Sequence, residues 1–531
     1  MRRLRRARVT AAAAVVALIV GGCASPSAPR ASDGRPPGTT ATPTTTSPPG
    51  TAEVPVRPVS WHDCSSEEGP GGYQCATVMV PLDPSHPGPA TLPLAIDRRP
   101  ASGPSAGVLL VNPGGPGASG VDELPTIVGM LNPDLTSHFD IVGFDPPGVG
   151  HSEPVTCLDN TAFGQYLHLD PSPPGPAGLA SIVTADRQFA AGCAARSHAV
   201  LGHVSTVDAA RDMDLIRRAL GENKLNYLGF SYGTLLGATY AQLFGANVRA
   251  MVLDGAVDPS QGVLAQLQAQ AASFDSQFRQ LAASCAGAAS CPWHGGPAGG
   301  AARGGTAGSG AGGLLAAFGA LEDLVRQHPI PVGDRTVGPS ELLYGTAAGL
   351  YSTQSWPLIE SALADAENGD GTLMLAAYDS YVQRSPDGTY SNSLEAQAAV
   401  SCLDDPAPTT AAITANVAAF EAAAPVFGLP VLYGELQCAE WPVPATGAPH
   451  VITAPHAPTV VVVGSTGDPA TPYAGAQRLA GELTHGILLT RDGGGHTGYG
   501  ASSCIRQSVD QYLISLAQPA PATTCPSDSS G

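Results

Sequence analysis

Ser231 stands in Gly229-Phe-Ser-Tyr-Gly233, with a glycine two residues to either side. An alcohol oxygen is a weak nucleophile at neutral pH. To attack a carbonyl it needs a base beside it, an acid to orient that base, and N–H donors for the oxyanion. Glycine and serine are also ordinary turn residues, so the pentapeptide alone decides nothing. The missing parts occur elsewhere in the chain. Asp468 in "GDPATP" and His496 in "GGGHT" follow the serine in the order Ser, Asp, His. The backbone N–H of Tyr232 is the natural first oxyanion donor. The loop "NPGGPGASG", Asn112 to Gly120, supplies a second, and Gly115 is the residue expected to give it. That loop lacks G-x-G-x-x-G and any following Lys-Ser/Thr, so it does not fit a nucleotide.

Two further acids compete for the orienting role, Asp254 and Asp258, which follow the strand after the serine. Asp468 holds the commoner position. Of the other histidines, His485 precedes its strand and His203 precedes a helix, and neither suits a base.

These residues need elements that bring them to one edge. Short apolar runs, "AGVLLVN", "FDIVGF", "KLNYLGF" and "VRAMVLD", read as strands of a parallel sheet covered on both faces. A pair of earlier strands is expected in "YQCATVMVPLD" and "TLPLAIDRR". Helical stretches alternate with them, among them "TVDAARDMDLIRRALG" with Thr206 as N-cap and Gly221 as stop. The pattern predicts an α/β doubly wound sheet, whose ligands bind at the carboxyl ends of its strands. It is interrupted between residues 260 and 454 by Ala/Gln/Leu-rich sequence without comparable strands, which reads as a helical lid carrying a flexible Gly/Ala insert. The sheet resumes at "TVVVVGSTGDPATP". The expected organisation is therefore a core over 56–259, the lid over 260–454 and the rest of the core over 455–531.

The chain has 531 residues and a formal charge of -19, which disfavours nucleic-acid binding because phosphate repels it. Residues 1–23 combine a basic start, an apolar stretch too short to span a bilayer and small residues before Cys23. This resembles a lipoprotein-type export signal with Cys23 as the lipidated residue; an ordinary cleaved signal is the alternative. Residues 24–55 are a Ser/Thr/Pro-rich tract that cannot bury enough surface to fold. The expected location is outside the cytoplasm, either anchored through that lipid or released. The other ten cysteines form an even set without a C-x-x-C spacing, which in an exported chain favours disulfides over a metal site. Pairing neighbours, Cys64–Cys75, Cys157–Cys193, Cys285–Cys291, Cys402–Cys438 and Cys504–Cys525, keeps each loop local. No metal or organic cofactor is implied.

Together, "NPGGPGASG", "DPPGVGHS", "GFSYGT", "LDGAVDP", "GDPATP" and "GGGHT" resemble the secreted tripeptidyl-aminopeptidase-like relatives of proline iminopeptidase. The resemblance covers about residues 56 to 526, with a characteristic C-terminal segment. It implies an α/β-hydrolase fold, a serine peptidase mechanism through Ser231, Asp468 and His496, and a peptide substrate with a free N-terminus. The segments "AAVSCLDD" and "LQCAEWP" resemble lid motifs of the group, in keeping with a Cys402–Cys438 bond. One departure is Pro147, which stands where the group usually has an arginine. An aminopeptidase must hold an ammonium group. Asp404, Asp405, Glu435 and Glu440 are lid acids that could do so, with Asp404 and Glu440 put forward. A carboxylesterase using the same triad is the other reading.

Overall fold

The computed structural model describes residues 54–65, 69–292 and 311–528. The expected signal segment with Cys23, nearly all of the 24–55 tract and most of the Gly/Ala insert lie outside these residues. Twelve strands are present among the described residues: β1 (His62–Asp63), β2 (Gln74–Pro81), β3 (Thr91–Arg99), β4 (Val108–Asn112), β5 (Asp140–Phe144), β6 (Leu225–Phe230), β7 (Val248–Asp254), β8 (Ile330–Val332), β9 (Arg335–Val337), β10 (Val460–Gly467), β11 (Gly486–Gly494) and β12 (Thr523–Pro526). Ten form one sheet in the order β1-β2-β3-β5-β4-β6-β7-β10-β11-β12. The first three strands pair antiparallel, and from β5 to β12 every pairing is parallel.

The central strands are buried along their whole length, as unbroken apolar runs require when helices cover both faces. Alternate residues divide between the faces. Leu110, Val142, Tyr227 and Met251 join one core cluster, while Leu109, Ile141, Leu228 and Val252 join the other. Because β7 pairs directly with β10, the chain returns to the sheet beside the strand it left.

Between them, the described residues from 263 to 439 form helices and their connections apart from the hairpin β8–β9, a pair that apolar patterning gives no hint of because each strand has only three residues. These helices pack a separate hydrophobic cluster around Phe274, Phe278, Leu342, Met374 and Phe427. The helix Thr206–Ala219 starts one residue earlier than Thr206 predicts: Ser205 is the N-cap and its side chain accepts the Asp208 N–H. Thr206 is thereby freed for another contact. Five disulfides join Cys64–Cys75, Cys157–Cys193, Cys285–Cys291, Cys402–Cys438 and Cys504–Cys525.

Candidate active site

Ser231 sits between β6 and the helix Tyr232–Phe244 with φ 55° and ψ -125°, a conformation rare for a residue with a side chain. The crowding around this turn explains its glycines. A Cβ on Gly229 would collide with the Gly233 carbonyl oxygen, and one on Gly233 would lie 2.7 Å from Asn112 Oδ1. The strained turn is clamped from several directions. Ser231 N–H donates to the Asp254 carbonyl at 2.9 Å. The Ser231 carbonyl accepts from the Thr234 hydroxyl at 2.6 Å, and the Thr234 oxygen in turn accepts the Val257 N–H at 2.9 Å.

The glycine-rich loop after β4 passes directly over this serine. Asn112 Oδ1 accepts the Gly114 N–H at 3.0 Å, and a Cβ on Gly114 would stand 2.8 Å from Ser231 Cβ. Gly114 and Gly115 have φ of 104° and 110°, and a cis bond joins Gly115 to Pro116. Among the described residues, neither the Gly115 nor the Tyr232 N–H donates to a protein acceptor. Two free donors beside one serine are what an oxyanion would use.

On the far side, Asp468 follows β10 and His496 follows β11. Asp468 is almost fully buried, and Oδ1 accepts the Ala470 and Thr471 N–H groups at 3.0 and 2.9 Å. Both carboxylate oxygens lie 2.9 Å from His496 Nδ1. That contact places the ring hydrogen on Nδ1 and leaves the Nε2 lone pair open. Nε2 is buried and has no partner within the protein. The imidazole Cε1 lies 3.0 Å from where a Cβ on Gly255 would stand. Gly255 directly follows Asp254, whose carbonyl holds Ser231, so serine turn and imidazole flank the same two residues.

The competing acids are used otherwise. Asp254 Oδ1 and Oδ2 accept the Gly498 and Tyr499 N–H groups at 2.7 and 2.8 Å, pinning the chain just beyond His496. Burial raises its acid to about 6, with those two N–H bonds pulling the other way. Asp258 pairs with Arg478 at 2.5 Å. His485 is exposed at the opposite end of β11.

Two residues here escape sequence reasoning. Tyr351, from the lid, accepts the His496 N–H on its carbonyl at 2.8 Å and meets the imidazole edge-on with centroids 5.4 Å apart. Nothing in "GLYSTQSW" signals a contact made through a main-chain oxygen. Arg491 is buried on β11; it donates to Ser465 Oγ at 2.9 Å and to the Gly494 and Gly495 carbonyls at 2.6 Å, fixing the run of glycines before His496. Burial lowers its pKa while Asp468 and Asp254 favour its charge.

The two lid acids expected to take an ammonium group, Asp404 and Glu440, already have partners on both oxygens. Asp404 accepts the Thr206 N–H at 2.8 Å and the Thr206 hydroxyl at 2.5 Å, and Thr206 in turn meets the Tyr232 hydroxyl. Glu440 is held by Arg187 in a two-point ion pair at 2.8 and 3.1 Å on the surface. Asp405 and Glu435 each keep one buried oxygen without a partner. Burial raises both, Asp405 to about 8. The loop bearing Pro147 is organised by Asp145, which accepts from Ser119 Oγ and from the Val121 and His151 N–H groups.

Residues 107–299 match the α/β hydrolase fold family and residues 424–525 the TAP-like protein family. The chain is 36% identical over 482 residues to serine protease Hip1 of Mycobacterium tuberculosis, covering 88% of this chain and 91% of that protein. It is also 36% identical over 496 residues to carboxylesterase B of the same species, covering 90% and 92%. With tripeptidyl aminopeptidase of Streptomyces lividans it shares 33% identity over 481 residues, covering 88% and 86%. The chain belongs to the TAP-like family of α/β hydrolases, and it is a serine hydrolase.

Proposed function

We propose that this TAP-like hydrolase is an exported aminopeptidase that releases short, tripeptide-type fragments from the free N-terminus of peptides through an acyl-enzyme. Ser231 is the nucleophile, His496 its base and Asp468 the orienting acid, with the Gly115 and Tyr232 N–H groups receiving the oxyanion. In this reading Ser231 Oγ bonds to the scissile carbonyl carbon while its proton passes to His496 Nε2. The imidazolium, stabilised by Asp468, gives that proton to the departing amine as the C–N bond breaks. Water, deprotonated by the same nitrogen, then releases the fragment and restores the serine. The observation that carries the reading is the His496–Asp468 contact at 2.9 Å with Nε2 left open beside the Ser231 turn. Relatives named as a serine protease and a tripeptidyl aminopeptidase give it its substrate class. Five disulfides favour an oxidising compartment, in line with export. Among the described residues no helix is long and apolar enough to cross a membrane. A lipid on Cys23 is the anchor that the sequence of residues 1–23 supports.

A carboxylesterase is the second reading, supported by a relative of that name at the same identity. The triad serves both, since both pass through an acyl-enzyme. Hydrolysis of a chromogenic Ala-Pro-Ala tripeptide with a free or an acetylated N-terminus separates them. The aminopeptidase cleaves the free form far faster. Equal rates, or activity on simple esters alone, would hand the site to the esterase. Ser231→Ala should abolish turnover and labelling by a fluorophosphonate.

A further inference from the structure

A cavity of about 170 Å³ lies under the lid, against the helix Gly175–Arg196. Its wall is aromatic: Tyr166 stacks on Phe189 at 4.8 Å and Tyr344 on Tyr381 at 5.1 Å. Asp186 stands in this wall, 3% exposed. Its Oδ1 accepts the Tyr166 hydroxyl at 2.8 Å, and its Oδ2 is bonded to nothing. Among the described residues no lysine, arginine or histidine lines the cavity, and Arg187 next in the chain turns outward to Glu440. The other acid in the wall, Asp170, is paired with Arg326 at 2.8 Å.

A buried carboxylate without a counter-ion is expensive to keep, and a cation supplied by a ligand removes that cost. Aromatic faces around it add their own attraction for an ammonium group. The cavity is also close to the reaction. Leu394 and Gln397 in its wall belong to the helix Ser393–Asp404. That helix presses its first turn on Gly117, so tightly that a Cβ there would strike the Ser393 carbonyl oxygen. One helical turn therefore separates the aromatic chamber from the loop over Ser231.

We propose that this chamber receives the N-terminal residue of the peptide substrate and that the free oxygen of Asp186 takes its α-ammonium group. The assignment rests on the aminopeptidase reading and gives the ammonium site to an acid outside the lid. Asp404 and Glu440 have no free oxygen for the task, and Asp405 lines a smaller recess beside Tyr232 and Pro116.

The test uses the full chain carrying Ser231→Ala, so that ligand stays intact, and measures binding of Ala-Pro-Ala amide and its N-acetylated form by calorimetry. The parent should prefer the free amine by at least about tenfold, the scale of a hydrogen bond to a charged group. Adding Asp186→Asn should erase that preference, and adding Asp405→Asn should leave it. If the preference survives Asp186→Asn, or vanishes with Asp405→Asn instead, the assignment fails while the aminopeptidase reading stands. If the parent shows no preference, both fail together. Should Asp186→Asn not fold, Ile182→Trp fills the same chamber and should weaken binding of the free tripeptide by about tenfold or more. Unchanged binding would overturn the proposal.

Discussion

Asp468 and Asp254 at the sheet edge are treated in the opposite way to Asp186, Asp405 and Glu435 under and beside the lid. At the edge, Asp468 meets the imidazole and two N–H groups within 3.0 Å, and Asp254 has an N–H on each oxygen. Under and beside the lid, Asp186, Asp405 and Glu435 each keep a buried oxygen with no partner. A fully bonded acid fixes geometry in advance, as a reaction repeated on every substrate demands. An unbonded one leaves an interaction for something else to complete. On the proposed reading the edge serves chemistry, and the chamber recognition.

That contrast can be broken at several points. The largest effect is expected from Asp468→Asn, which keeps the shape but lets the ring hydrogen move to Nε2; kcat should fall about 10⁴-fold with little change in KM. Asp254→Asn replaces an acceptor with an amide that faces a backbone N–H. It should cost about 1–3 kcal/mol of stability, read from denaturant unfolding, because one buried donor is left unpaired. A full Tm with lost activity would instead make Asp254 a direct participant. Tyr351→Leu keeps the carbonyl contact to His496 and removes the ring edge. It should lower kcat by about tenfold or less, with stability near that of the parent.

The smallest effect sharpens the comparison from the other side. Glu435→Gln should raise Tm slightly at pH 8, because burial opposes ionisation of this partly unpartnered group in the folded chain but not in the unfolded one. The sign of the wider pH dependence follows from the same groups. Burial raises Asp254 to about 6, Asp186 to about 7 and Asp405 to about 8, whereas an unfolded Asp titrates near about 3.9. Between those values the folded chain holds more protons than the unfolded one. The stability these groups contribute is therefore fully present only below about 3.9 and is lost progressively as pH rises from there through 6 to 8. A Tm that climbs from pH 5 to pH 8 would refute this account.

The legible features were those where backbone crowding or chain order leaves a trace in residue type. Gly229 and Gly233 are written into the sequence because no side chain fits at the turn. The sheet strands are legible because burial on both faces demands unbroken apolar runs. Asp186 was not, since "TADRQFAAG" reads as the exposed face of an ordinary helix until Tyr166 and Tyr344 are folded over it. The partners of Asp404 and Glu440 were illegible for the related reason that Thr206 and Arg187 lie roughly 200 residues or more away in the chain. Composition names a charge but not what neutralises it.

The order of the sheet has a consequence in time. Ser231 lies on β6's edge, but the strands that deliver Asp468 and His496, β10 and β11, come only after the whole lid. A chain emerging from N- to C-terminus carries a serine with nothing to deprotonate it until its final segment has docked against β7. With His496 as the proposed base, its late arrival leaves an incomplete chain without a partner for the serine.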